Sequence, residues 1–174
     1  MPKYDALAPN PQGEALVKEL KWVHDMIRGD LATLGTLAGK IRDGLAPFDA
    51  AATVRGLATN GPLWQMRSNC LRHCQFVESH HMGETHHWFP ELRRSNPALG
   101  PVIDKLDADH VVIADHLEEV EAAAKALGHL KTAKERSRLI NAIESLSRDL
   151  LAHLAFEEEQ VNPTLRTWTR WPHM

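Results

Sequence analysis

The apolar residues of this chain recur at intervals of three and four along four long segments. This spacing places them on one face of a helix, whereas a half-buried strand alternates apolar and polar residues with a period of two. The segments cover 13–43, Pro62 to about Arg94, Pro101 to about Leu127, and Thr132 to Leu165. No part of the sequence has the alternation of a strand. The pattern therefore predicts an all-α protein with four long helices.

Four helices with two short connections and one longer connection are typical of an antiparallel up-down-up-down four-helix bundle. The longer connection, 45–61, has the length for one short helix. We predict an N-terminal extension over 1–12, a bundle over 13–166 and a C-terminal tail over 167–174. The tail contains two tryptophans that could cap the bundle or dock a neighbouring protein, and capping is the simpler interpretation.

Polar residues interrupt the apolar face of every predicted helix. Each helix has a histidine 18 to 21 residues from one predicted end, and in an antiparallel bundle these four positions fall at a similar height. Two helices also have a glutamate one turn after the histidine. The six residues are His24, His80, Glu84, His110, His153 and Glu157. The sequence thus predicts that six polar side chains meet at one level of the core.

Both glutamates belong to a repeated signature, His-x-x-x-Glu, with a proline ten residues after the histidine. The two copies are HHMGETHHWFP and HLAFEEEQVNP. Positions i and i+4 share a helical face, so each copy presents an imidazole and a carboxylate to the same point. Each proline, Pro90 or Pro163, is expected to end its helix shortly after the site.

This set of side chains predicts a metal centre. Burying the imidazoles and carboxylates without partners would cost on the order of several kcal/mol, because buried charges need neutralisation and buried polar groups need hydrogen bonds. Nitrogen and oxygen donors suit iron, manganese or zinc, and six ligands exceed what one tetrahedral zinc needs. We therefore predict two metal ions bridged by Glu84 and Glu157.

The order and spacing of these residues resemble those of the hemerythrin-like proteins, also called HHE cation-binding domains, over nearly the whole chain. That family consists of four-helix bundles with a non-haem di-iron centre. The resemblance implies that both glutamates bridge two iron ions, between which an oxo or hydroxo bridge is expected. It also implies that His24 and His80 cap one iron, and that His110 and His153 cap the other.

One position departs from the pattern of the oxygen-carrying hemerythrins. Ala114 stands where they place a second histidine on the third helix, and alanine cannot ligate. One iron is then expected to have an extra open position or to receive another side chain. His87 is a candidate ligand, because it falls on the predicted core face and Glu-x-x-His spacing occurs in carboxylate di-iron bundles. The alternative for His87 is a buried histidine that is hydrogen-bonded near the helix end.

The other histidines are not expected to bind metal. His73 falls on the core face but two turns, roughly 10 Å, from His80, which favours a hydrogen-bonded core histidine. Five others fall off the apolar faces or lie in the tail, namely His81, His86, His116, His129 and His173. Glu158 is expected to be a solvated surface charge.

Composition narrows the choice of partners and compartment. The 174 residues include 20 basic and 23 acidic side chains, and a net charge of −3 offers no field for nucleic acid or an anionic membrane. The N-terminus lacks the features of a signal peptide and no apolar run could cross a bilayer, so we expect a cytoplasmic protein without a membrane partner. Cys70 and Cys74 are expected to be reduced and buried, with redox chemistry as the alternative.

Three functions remain open from the sequence. The first is a di-iron protein that binds or senses dioxygen, peroxide or nitric oxide, which the missing third-helix histidine favours over simple oxygen carriage. The second is an enzyme with catalase-like or nitric-oxide-reducing activity at the same centre. The third is a structural or iron-storage bundle, in which the metal mainly stabilises the fold.

Overall fold

The fold is a bundle of four long helical segments, and the computed structural model describes residues 8–43, 62–126 and 132–172. The helices are α1 (Pro11–Asp43), α2 (Pro62–Gly83), α3 (Phe89–Ser95), α4 (Gly100–Ala126) and α5 (Ala133–Leu165). A π-helical turn (Glu84–Trp88) joins α2 to α3, and a 3-10 turn (Pro97–Leu99) leads into α4. The described ranges contain no strand, so the predicted all-α bundle is confirmed. The short helix predicted within 45–61 falls outside the described residues.

Each long segment packs against two neighbours. Helix α1 contacts α2 and α5, and α4 contacts the same two helices from the other side. At one end of the bundle the N–H of Asn10 donates to the carbonyl of Arg166 at 3.0 Å, which joins the start of α1 to the end of α5. No helix of the described ranges is apolar over a length that could cross a membrane.

Local signals set the helix ends near the predicted positions. Thr132 caps α5 with a capping box: its hydroxyl accepts from the N–H of Glu135 at 3.3 Å, and the Glu135 carboxylate accepts from the N–H of Thr132 at 3.1 Å. Pro163 lies in the last turn of α5, which ends at Leu165, whereas Pro90 lies in the first turn of α3, which continues to Ser95.

Within the described residues two apolar clusters fill the core, and the polar residues lie between them along the four long segments. One cluster extends from Ile27 on α1 and Val77 on α2 to Ala124 on α4 and Leu139 on α5. The other surrounds Phe89 and Leu92 at the opposite end, where Trp168 and Trp171 of the tail pack against it. These clusters supply the burial that holds a polar layer at one fixed height in the bundle.

Candidate metal centre

The six side chains predicted from the sequence lie together in this polar layer. His24 and Glu157 are fully buried, and the most exposed of the six, His80, retains only 12% of its side-chain surface. A seventh side chain, His81, joins them with 6% exposure. The sequence placed His81 on the surface, and this prediction is wrong.

The neighbouring residues His80 and His81 face different helices. The ring of His80 lies 5.3 Å from that of His24 on α1, and the ring of His81 stacks on that of His110 on α4 at 4.0 Å. Both contacts arise because α2 packs against both of these helices, so its buried face is wide enough for consecutive residues.

Among the described residues, the donor atoms form two sets that share one carboxylate. The first set is His24, His80 and Glu84, and the second is His81, Glu84, His110 and His153; in each set the ligand atoms lie within 4.8 Å of one another. Glu84 Oε1 lies 2.8 Å from His80 Nε2, while its Oε2 lies 3.2 Å from His110 Nε2. Each oxygen of one carboxylate therefore faces a different set.

Glu157 also lies between the two sets. Its Oε2 is 3.5 Å from Nε2 of His24, in the first set, and 3.7 Å from Nε2 of His153, in the second. This is the position from which a second carboxylate could bridge.

The outer ring nitrogen of His24 has a partner that directs its inner nitrogen toward the centre. His24 Nδ1 donates to the Glu158 carboxylate at 2.8 Å, and the Arg28 guanidinium donates to the same carboxylate at 2.7 Å. A proton held at Nδ1 leaves the lone pair on Nε2, which faces Glu157. Glu158 is only 15% exposed, so its prediction as a solvated charge is wrong.

His110 is oriented by a chain of two partners. Its Nδ1 lies 2.8 Å from the Thr85 hydroxyl, which donates to the Asp107 carboxylate at 3.1 Å. The hydroxyl therefore accepts from Nδ1, and the lone pair of His110 lies on Nε2. His153 Nδ1 lies 3.6 Å from the Asp109 carboxylate, beyond hydrogen-bond distance, and has no hydrogen-bond partner.

The pKa values of the two buried carboxylates are shifted in opposite directions. Burial would raise the pKa of Glu84, but the charge of His80 beside it outweighs this effect and holds that pKa well below the ordinary value. The pKa of Glu157 lies well above its ordinary value, first because of burial and then because of the negative charge of Glu84. The protein alone thus favours one ionised carboxylate, and a cation would be needed to hold both as anions.

Burial also favours the neutral form of three of the imidazoles, those of His24, His81 and His153. It lowers the pKa of His24, and together with the charge of His110 it lowers the pKa of His153 to about 4 and that of His81 to about 2. Neutral imidazole is the form that binds metal, so these side chains can ligate without first losing a proton at neutral pH.

The orphaned atoms of the layer fit a metal. Atoms without a hydrogen-bond partner include Nε2 of His24, His80 and His81 and both carboxylate oxygens of Glu84 and Glu157. In addition, the Nε2 atoms of His110 and His153 lie 3.2 Å apart. Two nitrogens that each lie about 2.1 Å from one ion, at angles between square and tetrahedral, are separated by roughly 3.0–3.4 Å.

His87 does not lie on the core face. The structure places it among the exposed residues and in neither donor set, so its predicted burial is wrong. The π turn after Glu84 is closed by i→i+5 hydrogen bonds and holds more residues per turn than an α-helix. The third residue after Glu84 therefore rotates outward, and the fourth, Trp88, takes the buried position.

Apart from His81, the histidines predicted not to bind metal lie outside both donor sets wherever the structure describes them. His73 is buried outside both sets, with its Nδ1 3.6 Å from Asp30, while His86 is exposed and His116 contacts Asp149 at 2.8 Å. His129 and His173 fall outside the described residues. Ala114 is exposed and lines a groove beside His81, so another side chain occupies the inner position next to His110.

Comparison with known proteins agrees with this arrangement. A family model described as the hemerythrin HHE cation binding domain matches residues 15–165, which include all seven side chains of the layer. No curated protein and no solved structure matches the chain. The match covers most of the sequence, and the chain therefore belongs to the family of hemerythrin HHE cation-binding domains.

Proposed function

We propose that this protein is a non-haem di-iron protein that binds or senses a small ligand, either dioxygen, peroxide or nitric oxide. The position of Glu84 carries the proposal, because its two oxygens face two separate groups of histidines at 2.8 and 3.2 Å. One metal ion would leave one of these groups unused. The nitrogen and carboxylate donors, without a thiolate, suit iron among the transition metals.

We infer that His81 supplies the donor that Ala114 cannot. The second set then offers three histidines and two shared glutamates, while the first offers two histidines and the same glutamates. The first set, at His24 and His80, has fewer protein donors and therefore more room for an exogenous ligand. The open coordination position is therefore placed at the first set, and not beside Ala114 as the sequence suggested.

The protein contributes burial, orientation and charge to such a site. The apolar clusters shield the layer along the bundle axis, and Glu158 and Thr85 hold the rings of His24 and His110 so that their Nε2 atoms face inward. The two carboxylates supply negative charge between the sets. Iron held there would supply the redox chemistry and the open coordination position that small diatomic or peroxide ligands require.

Metal analysis combined with visible spectroscopy tests the proposal. The purified chain, reconstituted anaerobically with Fe²⁺, should contain two irons, and its spectrum should change on addition of dioxygen, peroxide or nitric oxide. Stoichiometric zinc as isolated, or fewer than two irons after reconstitution, would refute the di-iron centre. Two bound irons with a spectrum indifferent to all three ligands would instead indicate storage or structural metal.

A matched pair of histidine variants tests the ligand set. His81→Ala should lower the iron content below two per chain and alter the ligand-free spectrum, whereas His87→Ala, an exposed histidine of the same helical segment, should change neither. Thermal unfolding of both variants without metal separates lost ligation from lost folding. Unchanged iron content and spectrum in His81→Ala would remove this histidine from the centre.

A further inference from the structure

A groove of about 500 Å³ lies between α2 and α4 and reaches the second donor set. His81 and His110 form part of its lining, and Met82 and Val111 are exposed along it. Two other surface grooves, on the α4–α5 and α1–α5 faces, contain none of the seven side chains of the polar layer. The α2–α4 groove thus connects solvent with part of the centre.

The described lining of this groove carries negative charge and no lysine or arginine. Its carboxylates are Glu78, Asp107, Glu118 and Glu121. Lys125 offsets one of them, since it contacts Glu121 at 2.8 Å. A cleft lined by one sign of charge focuses the electrostatic potential and raises the local concentration of counter-ions. Cations are therefore attracted to this groove, and anions are repelled.

The groove leads to an unsatisfied ligand atom. His81 lines the groove with only 6% of its surface exposed, and its Nε2 has no hydrogen-bond partner. The same side chain belongs to the second donor set with Glu84 and His110. A cation attracted by the carboxylates would meet an imidazole of the metal centre at the inner end of the groove.

We propose that a divalent metal ion enters the centre through the α2–α4 groove, where the carboxylates concentrate it and His81 binds it first. The inference rests on the proposed metal centre. The small side chain of Ala114, which is exposed along the groove, keeps this route open.

Filling the groove tests the route. In the full chain, stripped of metal and then mixed with Co²⁺, Ala114→Phe should slow loading by about tenfold or more, because the ring must move before the ion can pass. Release of Co²⁺ from the loaded protein into excess chelator should slow by the same factor, so the affinity stays unchanged. Ala152→Phe, on an exposed position of α5, is the matched control.

Removing charge from the groove tests the attraction separately. Glu78→Gln with Glu118→Gln should slow Co²⁺ loading by about 3- to 10-fold at low ionic strength. The difference should largely vanish in 0.5 M salt, since the Debye length there is only about 4 Å. Glu144→Gln with Glu159→Gln removes two charges from α5 and should have a much smaller effect.

The two tests have clear contrary outcomes. Loading and release rates of Ala114→Phe equal to those of Ala152→Phe would overturn the route, and a charge effect equal to that of the α5 control would overturn the attraction. The final Co²⁺ content is measured in the same experiment. Two ions per chain with unchanged rates would reject only the groove, whereas fewer than two ions in the unaltered protein would reject the metal centre itself.

Discussion

Replacing Glu158 by alanine should weaken metal binding although Glu158 belongs to neither donor set. The substitution removes the acceptor of the His24 Nδ1 proton at 2.8 Å and the partner of Arg28 at 2.7 Å. Loss of such an outer partner typically costs 10- to 100-fold in metal affinity, or about 1.4–2.7 kcal/mol. Because His24 is fully buried, its orphaned N–H should also destabilise the metal-free fold by about 1–3 kcal/mol.

Two companion variants define the expected series. Glu158→Gln keeps an oxygen that can accept from His24 but loses the charge, so its affinity should fall between those of the native protein and the alanine variant. Glu159→Ala removes the next carboxylate, which is exposed, and should change stability by no more than about 0.5 kcal/mol. Competition for Fe²⁺ against a chelator of known affinity measures binding, and denaturant unfolding of the metal-free protein measures stability.

The series has a decisive negative outcome. If Glu158→Ala bound Fe²⁺ with the affinity of Glu159→Ala, the orientation of His24 would not depend on its Nδ1 partner. Packing of the ring between the two apolar clusters would then be sufficient to hold it.

Three further predictions concern the fold around the centre. Gly13→Ala should destabilise the fold by about 2–3 kcal/mol in denaturant unfolding, because a Cβ there would lie 2.0 Å from the carbonyl oxygen of Arg166. Gly29→Ala, which has open space around it, should instead stabilise the fold by about 0.5–1 kcal/mol. Equal effects of the two substitutions would contradict the close approach at Gly13. Burial lowers the pKa of His73 in the folded protein below its ordinary value of 6.5, so the stability that neutral His73 contributes is present above pH 6.5 and is lost as the pH falls. The metal-free His73→Leu variant should therefore lose less stability than the native protein between pH 7.5 and 5. Parallel losses in the two proteins would argue against this role of His73. Burial raises the pKa of both cysteine thiols to about 12, so they should react with a thiol reagent at pH 8 only after unfolding, and rapid native labelling would contradict their inert packing.

The bundle could be predicted from the sequence because its information is local and periodic. Apolar residues at intervals of three and four specify one buried face per helix, and short connections leave few topologies besides the antiparallel one. The level of the polar layer was also predictable, since helix ends such as the Thr132 cap are marked in the sequence and residues can be counted from them. These signals do not depend on how any side chain packs.

The details of the centre depend on packing that periodicity does not contain. A single narrow apolar face on the second helix predicts that His80 is buried and His81 is exposed. A helix that packs against two neighbours buries a wider face, and His81 is therefore buried as well. The α-helical period predicts His87 on the core face, but a π turn interrupts that period at this point. No sequence signal marks the π turn. Glu158 acquires its contact from the direction in which His24 Nδ1 points, and that direction is set only when α1 and α5 meet.

Alanine in place of histidine at position 114 affects both the set of ligands in the candidate centre and the access of solvent to it. A large side chain at position 114 would occupy part of the groove between α2 and α4, whereas alanine leaves that space open to solvent. The donor that alanine lacks can come from α2, because His81 reaches the same histidines from the other wall of the groove. Under the proposed ligand set, moving a ligand from one helix to its neighbour would keep the number of donors and change the route to them. Under the proposed entry route, Ala114 determines how a metal ion reaches the centre more than how many protein ligands hold it.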